Sequence, residues 1–346
     1  MWRLKRMNGK RALIALSLLL DVWRLDGFAA ASAPTVYSGM CDASAAVALG
    51  DTQFVVANDE DNVLRVYDYD QPGPPVQSID LSAFLQVDRK FPETDLEGAA
   101  RVGNRIYWIT SHGRNQEGKR RLSRERFFAT DTISHSGSIQ LTPAGRPYKY
   151  LLRDLIEEPR LKSFGLASAS RLAPRLANAF NIEGLCATPD GRLLIGFRNP
   201  IPQAKALVVP LLNPAEVIEG SRAKFGLPVL LDLGGLGIRE MAQHEGRYLF
   251  VAGRFDGGGK SQLYEWDGRA AQAKPLADFH RHLGKFSAES ILFYADKGWN
   301  QIQILSDDGS QRVGGKRCKD LKDPAQKTFR SLWLSLAPGA TAPQPE

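Results

Sequence analysis

The chain has 346 residues, 43% hydrophobic and 24% charged, with 32 Gly, 20 Pro and 3 Cys. That composition excludes a collagen, a coiled coil, a wholly disordered chain and a disulfide-built miniprotein, and it leaves one large domain or two ordinary ones. The formal charge of +7 invites a nucleic-acid reading until its distribution along the chain is followed.

Basic side chains crowd the start, at Arg3, Lys5, Arg6, Lys10 and Arg11, and the uncharged run from Ala12 to Leu20 follows them. With the small residues Ala29-Ala30-Ala31-Ser32-Ala33 behind it, this is the order of a secretory signal peptide. The apolar run is too short to span a bilayer, which takes about 20 residues. Residues 1–33 are therefore expected to be a signal peptide that sends the protein to the periplasm or out of the cell. Asp21, Arg24 and Asp26 lengthen the cleavage region, so a short uncleaved anchor is the alternative. The segment holds six basic and two acidic side chains, and the remainder carries only +3. No nucleic-acid partner and no stable membrane insertion are expected from so small a charge.

Cys41, Cys186 and Cys318 show no metal-ligand spacing. Cys186 falls in a hydrophobic strand and reads as a buried thiol, while Cys41 and Cys318 could bridge the two ends of the chain in an oxidising compartment.

From residue 34 onward one unit recurs five times: a polar entry, a strand, a tight turn, a second strand and a polar cluster. The copies begin at Asp42-Ala43-Ser44, Asp95-Leu96-Glu97-Gly98, Asn181-Ile182-Glu183-Gly184, Gly237-Ile238-Arg239 and Ser287-Ala288-Glu289. Hairpin turns stand at Gly50-Asp51, Gly103-Asn104, Asp190-Gly191, Glu245-Gly246 and Asp296-Lys297-Gly298. Two further strand-like runs follow each hairpin, and helix-period patterns are nearly absent. Four strands per unit mark a β-propeller blade.

The entry residues are spaced by 53, 86, 56 and 50. The long interval holds a complete unit ending near Asp154 and then an inserted loop with helical turns over about residues 156–180. The last unit shows three strands, the third being FRSLWLSL. Its fourth is expected from the start of the mature chain, around Pro34 to Ser38, so that the two ends pair and close the ring. The fold class is all-β, a propeller of five four-stranded blades in a single domain over residues 34–337, with six blades as the alternative. Residues 338–346 form a Pro- and Ala-rich tail that reads as disordered.

Aligning the hairpins puts Ser44, Glu97, Glu183, Arg239 and Glu289 at one point, the entry to the innermost strand, facing the central channel. Fifteen residues on, the partner strand returns and brings Asp59, His112, Arg198 and Arg254 alongside, with Asp307 taking that place in the fifth unit. Converging carboxylates need compensation, either from a divalent cation or from the ring's own arginines. Ser44, Glu97, Glu183 and Glu289 are hard oxygen donors of the kind Ca2+ accepts, and the alternative is a metal-free lattice of Arg and Glu. Arg114, Arg198, Arg239 and Arg254, with Asn199 beside Arg198, suit a small anionic ligand or substrate. His112, Glu97 and Glu183 are the candidates for moving a proton, against a purely structural reading of the histidine. No nucleophile elbow, P-loop or dinucleotide fingerprint is present.

The motifs DEDNVLRVY, DLEGAARVGNRIYWITSHGRN, NIEGL, LLIGFRNP, LGGLGIRE and LSDDG resemble an uncharacterised bacterial family, domain of unknown function 3616, over most of the mature chain. More distantly, the Leu-Glu-Gly and Ile-Glu-Gly entries look like those of esterase-like phytase propellers. The Glu-rich ring is similar in plan to the cation sites of calcium-activated nucleotidases and gluconolactonase-like propellers. The nucleotidase resemblance implies a channel cation on Ser44, Glu97, Glu183 and Glu289. Arg239 departs from that plan and would either hold a substrate phosphate or replace the metal's charge. The expected function is an exported, calcium-dependent hydrolase of phosphate-containing or other anionic esters. A non-catalytic ligand- or protein-binding propeller and a lactonase or carboxylester hydrolase are the alternatives.

Overall fold

The structure is a computed structural model and describes residues 33–135, 138–276, 279, 283 and 286–336. The proposed signal peptide, apart from Ala33, and the tail after Pro338 lie outside the described residues.

Strand β1 (Thr35–Ser38) opens the chain, and five antiparallel sheets follow. Blade 1 is β2 (Ala45–Leu49), β3 (Gln53–Ala57), β4 (Val63–Asp68) and β5 (Gln77–Asp80). Blade 2 is β6 (Leu96–Val102), β7 (Arg105–Thr110), β8 (Phe127–His135) and β9 (Ser138–Tyr148). Blade 3 is β10 (Asn181–Ala187), β11 (Leu193–Asn199), β12 (Ala206–Leu211) and β13 (Val229–Leu231). Blade 4 is β14 (Gly237–His244), β15 (Arg247–Gly253), β16 (Gln262–Trp266) and β17 (Lys274–Pro275). Blade 5 begins with β18 (Ala288–Leu292) and β19 (Gln301–Ser306), crosses the small hairpin β20 (Arg312–Val313) and β21 (Lys316–Arg317), and continues in β22 (Thr328–Ser335). Its outermost strand is β1, paired to β22 from Thr35 opposite Ser331 to Ser38 opposite Thr328. The expected five blades and the expected pairing of the chain ends are both present, and the six-bladed alternative is not.

The hairpin turns of the repeat all fall between the first two strands of their blades, where the chain must reverse within a few residues. Gly103, at φ +60°, holds the two-residue turn of blade 2 in the left-handed region that favours glycine.

Apolar side chains bury between neighbouring blades in five separate cores. One lies between each adjacent pair, and the core between blades 5 and 1 stacks Tyr37, Phe54, Tyr67 and Phe329. The largest core lies between blades 2 and 3, because the insert adds Leu151, Leu152, Leu155, Leu161 and Leu166. Blade 2 ends at Tyr148 rather than near Asp154. The insert starts earlier than the sequence spacing indicates, since Leu151, Leu152 and Leu155 already form one face of the helix Leu151–Glu157. Asp154 is fully buried in that helix. It accepts a hydrogen bond from the Tyr148 hydroxyl and one of 3.2 Å from the Ala223 N–H, which ties the insert to blades 2 and 3.

The glycines at the blade entries have a packing reason. A Cβ on Gly98 would lie 2.9 Å from the Leu185 Cβ of the next blade and 3.0 Å from its backbone nitrogen. At Gly237 the contact is closer still, 1.9 Å from the Arg198 carbonyl oxygen. Backbone cannot yield as a flexible side chain can, so Gly237→Ala is expected to cost at least about 3 kcal/mol, measured by urea unfolding. A stability equal to wild type would mean that blades 3 and 4 are not this tightly apposed.

Candidate functional site

Blade entries carry a local irregularity that aims their side chains. In blade 2, Leu96 pairs with Thr110 and Gly98 with Ile109, so Glu97 is the extra residue of a β-bulge. The same reading of the register makes Glu183, Arg239 and Glu289 the extra residues of blades 3, 4 and 5. On the partner strand of blade 3 a second shift frees Arg198. A bulged residue has no partner directly opposite it in the ladder, and bulges are a common means of re-aiming a side chain next to a site. Ser44 sits just before β2, where no bulge is needed, and its hydroxyl donates to the Ala57 carbonyl oxygen at 3.2 Å.

Ser44, Glu97, Glu183, Arg239 and Glu289 line a single cavity of about 410 Å³ at one mouth of the channel. Asp59, Arg198 and Asp307 line it too. The other proposed residues do not. His112 and Arg114 face a different cavity, because His112 takes φ +52° straight after β7 and the chain turns away from the axis. Arg254 closes on its own loop, donating to Asp256 at 2.6 and 3.0 Å, and stands exposed at the rim. Asn199 is buried and donates to the carbonyl oxygens of Leu176 at 2.7 Å and Pro174 at 3.3 Å, which pins the end of the insert.

The mouth divides into two halves. On the side of blades 3, 4 and 5, Arg198 donates to Glu183 and Arg239 donates to Glu289, and the Arg239 Nε lies 3.9 Å from the second Glu183 oxygen. The Asn181 amide adds a hydrogen bond of 2.8 Å to Glu183. Burial alone would lower the pKa of Arg239, but the carboxylates of Glu289 and Glu183 outweigh it and hold the guanidinium firmly charged. Burial raises Glu289 to about 7 in spite of Arg239.

On the side of blades 5, 1 and 2, Asp42, Asp59, Glu97 and Asp307 form no ion pair among the described residues. Burial, then neighbouring carboxylates, pushes Asp42, Asp59 and Glu97 well above the ordinary range. Asp42 and Asp307 flank Gly309, and the Oδ1 of Asp59 is buried without a hydrogen-bond partner. Counted over the whole mouth, ten carboxyl groups face five basic side chains.

Several of these residues escaped the sequence reading, although a signal was present. Asp42, Asp95 and Asn181 stand two positions before Ser44, Glu97 and Glu183, and all three line the cavity. Asp95 receives Arg124 at 2.9 Å, and Glu60 receives Lys319 at 2.6 Å. Arg175 comes from the insert and is exposed over the mouth. A Cβ on Gly257 would lie 3.1 Å from the Nη2 of Arg198 and 3.8 Å from that of Arg175, so both guanidinium groups reach the Gly257 loop. No repeat alignment reaches Arg175, because the insert lies outside the repeat.

As arranged, the proposed donors do not fit a metal. Among the described residues no three His, Cys, Asp or Glu side chains converge as ligands. Glu183 and Glu289 each hold a guanidinium, and the Ser44 hydroxyl is engaged with the backbone. Arg198 and Arg239 supply the positive charge that a cation would bring.

The family described as "Protein of unknown function (DUF3616)" matches residues 135–290, in line with the resemblance read from the motifs. No curated protein matches the chain. Among solved structures, a bifunctional GH43-CE protein of Bacteroides eggerthii is similar at 11% identity and TM-score 0.41, over 84% of this chain and 35% of that one. The chain thus spans about a third of that protein's length. A putative oxidoreductase (glucose dehydrogenase) of Thermus thermophilus is similar at 13% identity and TM-score 0.40, over 87% of this chain and 100% of that one. An exo-beta-1,3-galactanase of Phanerochaete chrysosporium is similar at 6% identity and TM-score 0.45, over 90% and 64%.

Proposed function

We propose that this protein is an exported propeller that hydrolyses a small anionic ester in its channel mouth by carboxyl acid–base chemistry. The observation that carries this reading is the sharing of one cavity by two kinds of group. Arg175, exposed over the mouth, and Arg198 both line the cavity, and Asp42, Asp59 and Glu97 are carboxyls that burial keeps protonated to unusually high pH. An anion drawn to the exposed Arg175 at the mouth makes charge-assisted hydrogen bonds with it. A protonated carboxyl then gives its proton to the leaving alcohol, while an ionised neighbour takes one from the attacking water. Export is supported by the Cys41–Cys318 disulfide, which belongs to an oxidising compartment.

The test is a hydrolase screen over phosphate esters, nucleotides, lactones and carboxylesters, run with and without calcium and chelator. Glu97→Gln, which keeps shape and removes the titrating group, is expected to lower kcat by about 10²–10⁴, and Arg175→Ala to raise KM. Activity is expected to persist in chelator. A strict calcium requirement would mean that a cation displaces a guanidinium from Glu289 or Glu183, which returns the reading to calcium dependence. Absence of any Glu97-dependent turnover would leave a binding propeller.

A further inference from the structure

The cavity that His112 faces is larger than the channel mouth, about 760 Å³, and lies between blade 2 and the insert. It carries two unsatisfied features of opposite kind. The first is the imidazole. His112 is 2% exposed, and its Nδ1 lies 2.8 Å from the Thr110 carbonyl oxygen. A carbonyl only accepts, so Nδ1 bears the hydrogen and Nε2 is left as a lone-pair acceptor. Nε2 is buried without a partner. Burial lowers the pKa of the ring to about 4, so it remains neutral and accepting at neutral pH.

The second feature is an excess of positive charge, since the buried Glu125 carboxylate that acts on Arg126 is itself held by Arg120 at 2.6 and 2.8 Å. Arg126 is 4% exposed and spends its donors on the carbonyl oxygens of Leu85, Gln86, Leu122 and Glu125, at 2.6–3.0 Å. Among the described residues it forms no ion pair. Arg114 is held in the same way by the carbonyl oxygens of Ser170 and Gly118. Carbonyls orient a guanidinium without cancelling its charge, and a buried charge left uncancelled is costly. At the rim, Lys149 reaches only the Gln86 amide and Arg171 is exposed. The cavity lining as a whole has six basic and three acidic side chains. Leu122, Leu152 and Ile156 supply apolar wall to the same cavity.

From this geometry we infer a second ligand site, distinct from the channel mouth, for a small anion with an apolar body and a hydroxyl at the far end. The hydroxyl donates to His112 Nε2, the apolar body lies against the leucines of blade 2 and the insert, and the carboxylate or phosphate faces Arg126, Arg114 and the rim residue Lys149. On this account the insert is the wall of a binding site.

Titration calorimetry with para-hydroxybenzoate, para-hydroxyphenylacetate and para-hydroxyphenylpropionate tests the site, the three acids holding hydroxyl and carboxylate at three different separations. At least one of them is expected to bind saturably. Its analogue without the hydroxyl is expected to bind roughly tenfold more weakly, one hydrogen bond to a buried group, and its methyl ester more weakly still. Lys149→Met keeps an exposed side chain of similar length and is expected to remove the preference for the free acid over the ester. His112→Asn, chosen because Asn tolerates positive φ, is expected to reduce the preference for the hydroxyl. Failure of all three acids to bind overturns the site. So does binding whose preferences survive in Lys149→Met. Arg175→Ala is expected to leave this binding unchanged, which separates the outcome from that of the channel mouth.

Discussion

Arg239→Met is expected to destabilise the protein by about 3–5 kcal/mol at pH 8, the usual cost of breaking a buried ion pair by removing one partner. Arg239 donates to Glu289 and stands 3.9 Å from Glu183, both buried. Without the guanidinium, the Glu183 and Glu289 carboxylates share the channel mouth with Arg198, which is bound to Glu183. The cost depends on pH in a definite direction. Glu289 is raised to about 7 when folded, and Asp42, Asp59 and Glu97 are raised as well. The folded state therefore binds more protons than the unfolded chain between the ordinary carboxyl range and about pH 7, and stability falls as pH rises through that window. In Arg239→Met the carboxyls lose their counter-charge and hold protons more tightly still. The deficit relative to wild type is thus expected to shrink as the pH is lowered from 8 to 5. Pairing the substitution with Glu289→Gln should recover part of the loss at pH 8. Urea unfolding at both values measures this, and a deficit that is the same at pH 5 and pH 8 would show that the ion pairs do not set the electrostatics of the channel.

The lattice also shows what could be read from the sequence and what could not. The five-fold repeat was legible because each innermost hairpin keeps the same turn chemistry and the same entry residue. The side chains that converge on the axis therefore share a phase, and Ser44, Glu97, Glu183, Arg239 and Glu289 meet in one cavity. The second ring was legible only in part: Asp59, Arg198 and Asp307 reach the cavity, while His112 and Arg254 do not. At His112 a positive φ turns the chain out of the channel, and at Arg254 a carboxylate two residues on folds the side chain back to the rim. Neither event leaves a periodic trace. The pairing of Glu183 and Glu289 with arginines was beyond spacing alone, since a ring of three carboxylates and a guanidinium suits that pairing and a cation equally. Arg175 and the walls of the His112 cavity come from the insert, where no repeat exists to align.

Loss of the Cys41–Cys318 bond is expected to have the other large effect. The sulfurs join residues 277 apart in sequence, with Cα atoms 5.9 Å apart. Few cross-links enclose so much chain, and in the chain-entropy account the stabilisation grows with the enclosed loop, with about 2–5 kcal/mol typical for removal of a native bond. The ring is also closed non-covalently at the same seam. β1 pairs with β22, Asp42 bridges Asp307, and the Asp308 N–H donates to the Cys41 carbonyl oxygen at 2.8 Å. Those bonds and the aromatic core between blades 5 and 1 must all give way for blade 5 to open. The disulfide is therefore expected to convert a seam that could fray into one that opens only with the whole domain. Cys41→Ser with Cys318→Ser should lower Tm by about 5–15 °C, and the same shift should follow reduction of the wild-type protein with dithiothreitol. Hydrogen exchange gives the sharper test. Amides of β1 and β22 should exchange far faster in the double variant while those of blades 2 and 3 keep near-global protection. Uniform acceleration across all blades would instead mean that the seam is no weaker than any other interface and that closure by β1 is sufficient by itself.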